Sequence, residues 1–271
     1  MNILFISSKD NPRIKRLAAL LSSKKQRTAE GVFVIEGVRG CVDAVRESLD
    51  GLLEIEAFFY SEEAKAGFEN RLDTGVYDSL DDKKVFVITK EIAAKVSLEG
   101  NTQGAFVIAR VVHKPVPDTL DGNRYVVLDN LQDPGNLGTV LRTADAVGAD
   151  GVILTNNCVE LYNPKVIRST MGSISRINIY IENSFERTVS VLKDSGISCI
   201  AAVVRNGSLL SSYHFGRKCA VFIGNEGRGL SDEHTALCDD RVTIDMHGRL
   251  DSLNASVAAA IIMWEMSKEG V

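Results

Sequence analysis

Apolar residues fall along this chain in two alternating rhythms. In the first 112 residues, short β-rich runs (VFVIEG, IEAFFY, VFVIT, AFVIARV) are separated by segments with helical spacing. The segment NPRIKRLAALLSS carries apolar residues at 14, 17, 18, 20 and 21, with Asn11 as N-cap and Pro12 in the first turn. Further helices are predicted from Val38 to Leu49, after IEAFFY, and over EIAAKV. This alternation predicts a small α/β unit with a mainly parallel sheet. The rhythm repeats in YVVLD (125–129), GVILT (151–155), INIYI (177–181), ISCIAAVV (197–204), AVFIGN (220–225) and RVTIDM (241–246), and a helix from Ser252 to Lys268 follows. Continuous apolar strands alternating with helices are the pattern of an α/β fold with a doubly covered parallel sheet. Between the two parts, VVHKPVPDTLDGNR (111–124) contains Pro115 and Pro117, through which neither helix nor strand continues comfortably. The predicted division is a domain over 1–112, a linker over 113–123 and a domain over 124–271.

Composition adds little to this. The chain has 271 residues, 45% hydrophobic and 25% charged, enough to bury a core without a metal or disulfide staple. The run VAAAIIMW (257–264) is too short to span a bilayer, and the start MNILFISSKDNPR lacks the pattern of a secretory signal. Cys41, Cys158, Cys199, Cys219 and Cys238 are odd in number, widely spaced and without a CxxC. That argues against a disulfide framework or zinc site and fits buried thiols in a reducing cytoplasm. Neither a membrane nor a metal partner is expected.

Charge changes the picture more. The net charge of −5 speaks against a nucleic-acid partner, but its distribution does not. Lys9, Arg13, Lys15, Arg16, Lys24, Lys25 and Arg27 face only Asp10 within residues 9–27, whereas residues 43–82 hold twelve acids against three bases. A basic arm beside an acidic body is either a solvated helix face or a polyanion contact, and these seven bases are the candidates for that contact.

In a parallel sheet the carboxyl ends of all strands share one edge, where ligands bind. Three loops on that edge are rich in Gly, Asn, Asp, Glu or Ser: DNLQDPGNLG after YVVL, GNEGRGLS after AVFI, and HGRLDSLNAS after RVTIDM. Neither GxGxxG opening a βαβ unit nor GxxxxGK[ST] occurs, so a dinucleotide site and a P-loop are unsupported. In the helix after the first loop, Leu137, Val140, Leu141, Ala144 and Val147 form an apolar stripe. Arg142 projects beside it, one turn from Gly138. It is either paired with Asp145 three residues on or aimed at a phosphate or developing oxyanion. Asp251 or Ser252 is an expected N-cap for the last helix. Glu226 reads equally as a surface turn acid, and His247 as an exposed loop histidine or a proton acceptor. Met246 and the last helix read as core or subunit interface.

The segments LDNLQDPGNLGTVLRTADAVGADGVIL, FIGNEGRGLS and IDMHGRLDSLNASVAAAI resemble, in order and spacing, the three motifs of the SpoU/TrmH family of RNA ribose 2′-O-methyltransferases, part of the SPOUT superfamily. The resemblance covers about residues 124–268. The first part, with ISSKDNPRIKRLAALLSSKKQR and VFVIEGVR, resembles the L30e-like RNA-binding domain that often precedes this catalytic domain. The resemblance implies S-adenosylmethionine as methyl donor, a C-terminal trefoil knot and a homodimer. It implies Asn136, Arg142, Glu226, Ser252 and Asn254 as catalytic residues, with Gly224, Asn225, Ile244, Met246 and Leu253 around the cofactor. Departures are Asp245 in place of proline, SLNAS in place of SLNVS, and RSTMGSISRINIY in place of RASxGxxxxLP.

The expected reaction is S-adenosylmethionine-dependent 2′-O-methylation of ribosomal RNA, with transfer RNA, or an RNA-binding relative that has lost catalysis, as alternatives. A nucleotide-dependent oxidoreductase lacks its fingerprint. The family reading makes Arg142 the proton acceptor, whereas a guanidinium stays protonated in proteins. Arg142 is therefore expected to bind the target phosphate and stabilise the alkoxide, with water sharing proton removal.

Overall fold

The computed structural model describes residues 4–69, 84–155 and 157–268. Part of the acidic run, 70–82, lies outside the described residues. In chain order the first elements are β1 (Leu4–Ile6), α1 (Pro12–Ser22), α2 (Lys24–Glu30), β2 (Val32–Glu36), α3 (Val38–Leu49), β3 (Ile55–Ser61), α4 (Glu62–Glu69), β4 (Val85–Ile88), α5 (Lys90–Val96) and β5 (Ala105–Arg110). There follow β6 (Lys114–Pro115), β7 (Arg124–Leu128), α6 (Pro134–Ala146), β8 (Gly151–Leu154), α7 (Pro164–Thr170), β9 (Ile179–Ile181) and α8 (Phe185–Asp194). The last are β10 (Ser198–Ala202), β11 (Ser208–Leu209), β12 (Cys219–Ile223), α9 (Asp232–Leu237), β13 (Asp240–Thr243) and α10 (Ala255–Lys268).

The chain divides into two compact units, Met1–Val112 with Tyr162–Ser175, and His113–Leu161 with Arg176–Val271. The first unit holds a five-stranded sheet in the order β1-β4-β3-β5-β2. β1, β4 and β3 are parallel, but β5 runs antiparallel to both β3 and β2. The sheet is thus mixed where a mainly parallel one was expected. An apolar run reports burial on both faces and is silent on strand direction. One face packs Leu17, Leu20 and Leu21 of α1 and Ile92 of α5 against Val34, Phe59, Phe86 and Ile108. On α3, Cys41, Val42 and Val45 are buried, and Phe68 of α4 meets Phe58 edge-on at 5.2 Å. Helix α7, remote in sequence, packs on β2, and Tyr162 stacks on Phe33 at 4.8 Å.

The second unit holds an eight-stranded sheet, β11-β13-β10-β12-β7-β8-β9-β6. Every pairing in it is parallel. Phe185, Val189 and Leu192 of α8 cover one face with Tyr125, Val127, Ile153 and Phe222. Elsewhere α10 packs on α6 and β12. Residues 113–123, expected to form a linker, are part of this unit: Lys114 and Pro115 pair with β9, and Val116 and Leu120 are buried. Helix α10 begins at Ala255, later than expected. It buries Ala259, Ile262, Met263 and Met266 but exposes Val257, Ile261 and Trp264.

The cysteines are free thiols, three of them buried. Burial pushes Cys158 up to about 11 and Cys199 and Cys238 up to about 12, so none of these three is a ready nucleophile. Among the described residues no helix is long and apolar enough to cross a membrane, and no cluster of potential ligands could hold a metal.

Candidate active site at the carboxyl edge of the parallel sheet

Strands β7, β12 and β13 run in the same direction, so the loops that follow them leave from one edge. The first loop turns at Asn130, whose φ of 55° is left-handed; asparagine tolerates this region better than most residues. Asp133 then caps α6, its Oδ1 accepting from the Asn136 amide at 2.8 Å, and Pro134 occupies the first turn. Asn136 therefore sits in the first turn of a helix, and it is buried.

The second loop folds back on itself. Asn225 and Gly229 exchange backbone hydrogen bonds at 3.2 and 2.8 Å, and Asn225 Oδ1 accepts from the amides of Gly227 and Arg228. Gly224 allows this closure: a Cβ there would lie 2.2 Å from the Gly229 carbonyl carbon and 2.3 Å from the Leu230 nitrogen. The third loop ends at Asn254. Its Oδ1 accepts from the Ser256 and Val257 amides and from Ser256 Oγ, so Asn254 caps α10, not Asp251 or Ser252.

These loops are joined by side chains. Glu226 accepts from the Gln132 and Asp133 amides, the latter at 2.8 Å, and from Asn136 Nδ2 at 3.1 Å. Asn225 Nδ2 donates to the Asn130 carbonyl at 2.9 Å. Asn254 Nδ2 donates to Asn136 Oδ1 at 2.9 Å. The carboxylate is acceptor-only, so it fixes the orientation of the Asn136 amide. That amide in turn requires a donor from Asn254, whose oxygen is committed to the helix. Burial opposes the Glu226 charge, but the Asp133 amide and the Asn136 side chain outweigh it. The carboxyl is held below its ordinary range.

Between the second and third loops lies a cavity of about 470 Å³, within the usual range for small-molecule sites. Gly224, Asn225, Ile244, Met246 and Leu253, expected around the cofactor, all line it, as do Glu226 and Ser252. Asp245 accepts from the Ser211 amide at 3.2 Å, tying the third loop to the 210–212 turn, while its Oδ1 is buried without a partner. His247 is exposed and is not part of the cavity wall.

Arg142 is outside the hydrogen-bonded cluster. Its expected surface partner, Asp145, is engaged by Arg176 at 2.9 Å, and Arg142 is exposed with no ion pair among the described residues. The basic arm in the first unit is corrected at two positions. Arg27 is buried, with Nη1 donating to the Leu20 and Leu21 carbonyls at the end of α1. Arg16 is held by Glu30 and Glu56 at 2.6 and 2.7 Å. Lys9, Arg13, Lys15, Lys24 and Lys25 remain exposed, although Lys15 touches Asp10 at 3.2 Å and Arg13 lies over the Phe86 ring at 5.0 Å.

Two groups escaped the sequence reading. The segment 202–206 after β10 lines the same cavity, and Arg205 there pairs with Asp251 at 3.2 Å. β10 shares the carboxyl edge, so its loop was a findable member. The second is the buried Asp129, which accepts from His234 Nδ1 at 2.8 Å and from Thr155 Oγ1, with the His234 ring stacked on Phe185. No spacing rule links residues 129 and 234.

Comparison with known proteins bears on this geometry. Residues 123–264 match the model of the SpoU rRNA Methylase family, and residues 11–107 match the MRM3-like substrate binding domain. The chain is 28% identical to the 23S rRNA (guanosine(2553)-2′-O)-methyltransferase RlmP of Bacillus subtilis, over 96% of this chain and 98% of that one. Among solved structures it is similar to an AdoMet-bound rRNA methyltransferase from Sinorhizobium meliloti, at 27% identity and a TM-score of 0.83 over 99% of both chains. An RNA 2′-O ribose methyltransferase is 30% identical with a TM-score of 0.75, over 98% of this chain and 99% of that one.

Proposed function

The chain belongs to the SpoU rRNA methylase family, and on that premise we propose that it transfers a methyl group from S-adenosylmethionine to a ribose 2′-hydroxyl of ribosomal RNA. The observation that carries this reading is the Asn254–Asn136–Glu226 chain of hydrogen bonds, which draws all three motif loops together beside the cavity.

The cavity suits the cofactor. Its wall combines apolar side chains (Ile223, Ile244, Leu253) with loop backbone around Gly227, and its carboxylates at 226, 232 and 251 stand beside Arg205, Arg228 and Arg241, a wall of both signs that suits a guest carrying both an ammonium and a carboxylate. Gly224, Asn225, Ile244, Met246 and Leu253 would hold S-adenosylmethionine, which when bound supplies an electrophilic methyl group.

The residues of the chain supply position and charge. Asn136 and Asn254 hold the first and third loops in register, so that an acceptor nucleotide meets a preorganised surface. Glu226 fixes the turn before α6 through two amides. Arg142 binds the phosphate beside the target ribose and stabilises the alkoxide as the hydroxyl proton passes to water, because its guanidinium is too weak an acid to act as base. Ser252 borders the cavity and orients the nucleotide.

The first unit holds RNA through Lys9, Arg13, Lys15, Lys24 and Lys25, with a salt-dependent affinity. The exposed stripe Val257, Ile261 and Trp264 on α10 pairs with a second copy, giving a homodimer. The return of the chain from β13 to pack α10 on α6 and β12 supports the family's trefoil knot. The working compartment is the cytoplasm, where ribosomal RNA is available. The test is transfer of labelled methyl from S-adenosylmethionine to purified ribosomal and transfer RNA. Label in ribosomal RNA that blocks alkaline cleavage at the modified nucleotide supports the reading. Label confined to transfer RNA, or none, contradicts it.

A further inference from the structure

The first unit contains a second cavity, of about 450 Å³, unrelated to the cofactor site. It forms where IEGVRG (35–40), at the end of β2 and the start of α3, meets RSTMGS (168–173), at the end of α7. Both segments lie outside the loops used so far.

Two of the three buried side-chain polar atoms without a hydrogen bond among the described residues belong to this wall. One is Glu36 Oε2. The other carboxylate oxygen, Oε1, is occupied by the Ser97 hydroxyl and, at 3.2 Å, by the Thr102 hydroxyl. The second atom is Arg168 Nη1, which lies 2.5 Å from Glu99 Oε1 but makes no aligned hydrogen bond with it. Glu36 Oε2, with neither hydrogen bond nor ion pair, is the atom left unmatched, and a buried acceptor in that state calls for a donor from outside the chain, a water or a ligand. The rest of the wall says what kind. Glu36, Asp43, Glu47 and Glu99 outnumber Arg39 and Arg168 in it, which disfavours phosphate; Ile35, Ile167 and Ile174 offer apolar contact to a flat ring. A bare cation would use neither those apolar walls nor Arg168.

A neutral heteroaromatic ring with an N–H beside a carbonyl satisfies all of this. Among RNA bases, guanine and uracil carry that pair on the ring, whereas adenine and cytosine present an unprotonated ring nitrogen. The edge is free only in unpaired RNA. We propose that this cavity binds one unpaired guanine or uracil of the RNA substrate, with Glu36 Oε2 accepting from the ring N–H and Arg168 donating to the adjacent carbonyl. This rests on the RNA methyltransferase reading above and adds a base-selective subsite to it.

The experiment uses the full chain and end-labelled single-stranded U12, A12 and C12 RNA, read by fluorescence anisotropy at one salt concentration. The wild type binds U12 about tenfold more tightly than A12 or C12, the scale of one base-specific contact. Glu36→Gln keeps an oxygen for Ser97 and Thr102 but puts an amide N–H where Oε2 was, so the preference disappears or turns towards A12 and C12. Ser97→Ala disturbs only the structural bond and keeps the U12 preference; Arg168→Ala weakens U12 binding with Glu36 intact. Equal binding of the three RNAs by the wild type, or an undiminished U12 preference in Glu36→Gln, overturns the proposal. Cofactor calorimetry on the same wild-type sample separates the two readings. A chain that takes S-adenosylmethionine but shows no base preference loses only this subsite. One that prefers U12 but takes no cofactor keeps the subsite and loses the methyltransferase reading.

Discussion

Asn254 Nδ2 donates to Asn136 Oδ1 at 2.9 Å across 118 residues of sequence, and through this bond the last helix reads the position of the first motif loop. Each amide is used at both ends: Asn136 also donates to Glu226, and Asn254 also caps α10. Asn136→Ala leaves Asn254 Nδ2 and one Glu226 lone pair unmatched. Methyl transfer should fall about 10- to 100-fold, on the scale of a lost buried hydrogen bond. Asn136→Asp sets a second carboxylate against Glu226 and should fall further, with a lower melting temperature than Asn136→Ala. Single-turnover assays and thermal unfolding of both variants check this.

Arg142 has no ion pair to lose among the described residues, and Asp145 is taken by Arg176. Arg142→Ala should therefore leave stability within about 0.5 kcal/mol and cofactor affinity unchanged, while turnover falls on the order of 10²- to 10³-fold. Arg142→Lys should be intermediate, since an ammonium keeps the charge but not the planar fork. Full turnover in Arg142→Lys with unchanged RNA affinity would remove the role assigned to it.

Glu226 gives a pH test of the loop contact. Its carboxyl is lowered in the fold, with burial outweighed by the Asp133 amide and the Asn136 side chain. A depressed carboxyl contributes stability above its unfolded value, about 4.3, and that contribution is lost as pH falls through the lower folded value. The melting temperatures of wild type and Glu226→Gln should therefore differ near neutrality and converge in acid below about pH 4. A gap that persists there would mean that the bonds are not those of the carboxylate.

The stripe on α10 predicts assembly. Trp264 is 58% exposed, beside Ile261 and Val257, one and two turns away. Trp264→Glu should shift the chain from dimer to monomer by light scattering while leaving its secondary structure intact. A wild-type monomer at tens of micromolar would contradict the assignment.

Much of this arrangement was legible in the residues, and the failures have physical causes. The apolar runs found nearly every strand because parallel strands are buried on both faces, as in β7 and β12. The three-residue β1 escaped because Leu4 and Phe5 are exposed at a sheet edge, and β6 and β11 escaped because two residues are too few to show a pattern. Charge counting over 9–27 could not tell Arg27, turned inwards to cap α1, from Lys24 and Lys25 on the surface of the same helix. The three motif loops were visible as loops on one edge. Their joining through Asn136 and Asn254 was not, because a carboxamide capping its own helix looks like any other N-cap until its second hydrogen bond is seen. Helix α7 packs on β2 of the first unit, a tertiary choice that local pattern does not encode.

Titration calorimetry with S-adenosylhomocysteine, the demethylated cofactor, tests the central claim most directly. The account predicts saturable heat with one site per chain in the wild type. It predicts none in Gly224→Ala, where the new methyl would lie 2.2 Å from the Gly229 backbone and force the second loop open. A wild-type chain that gives no heat, or a Gly224→Ala chain that binds as well as the wild type, would contradict it.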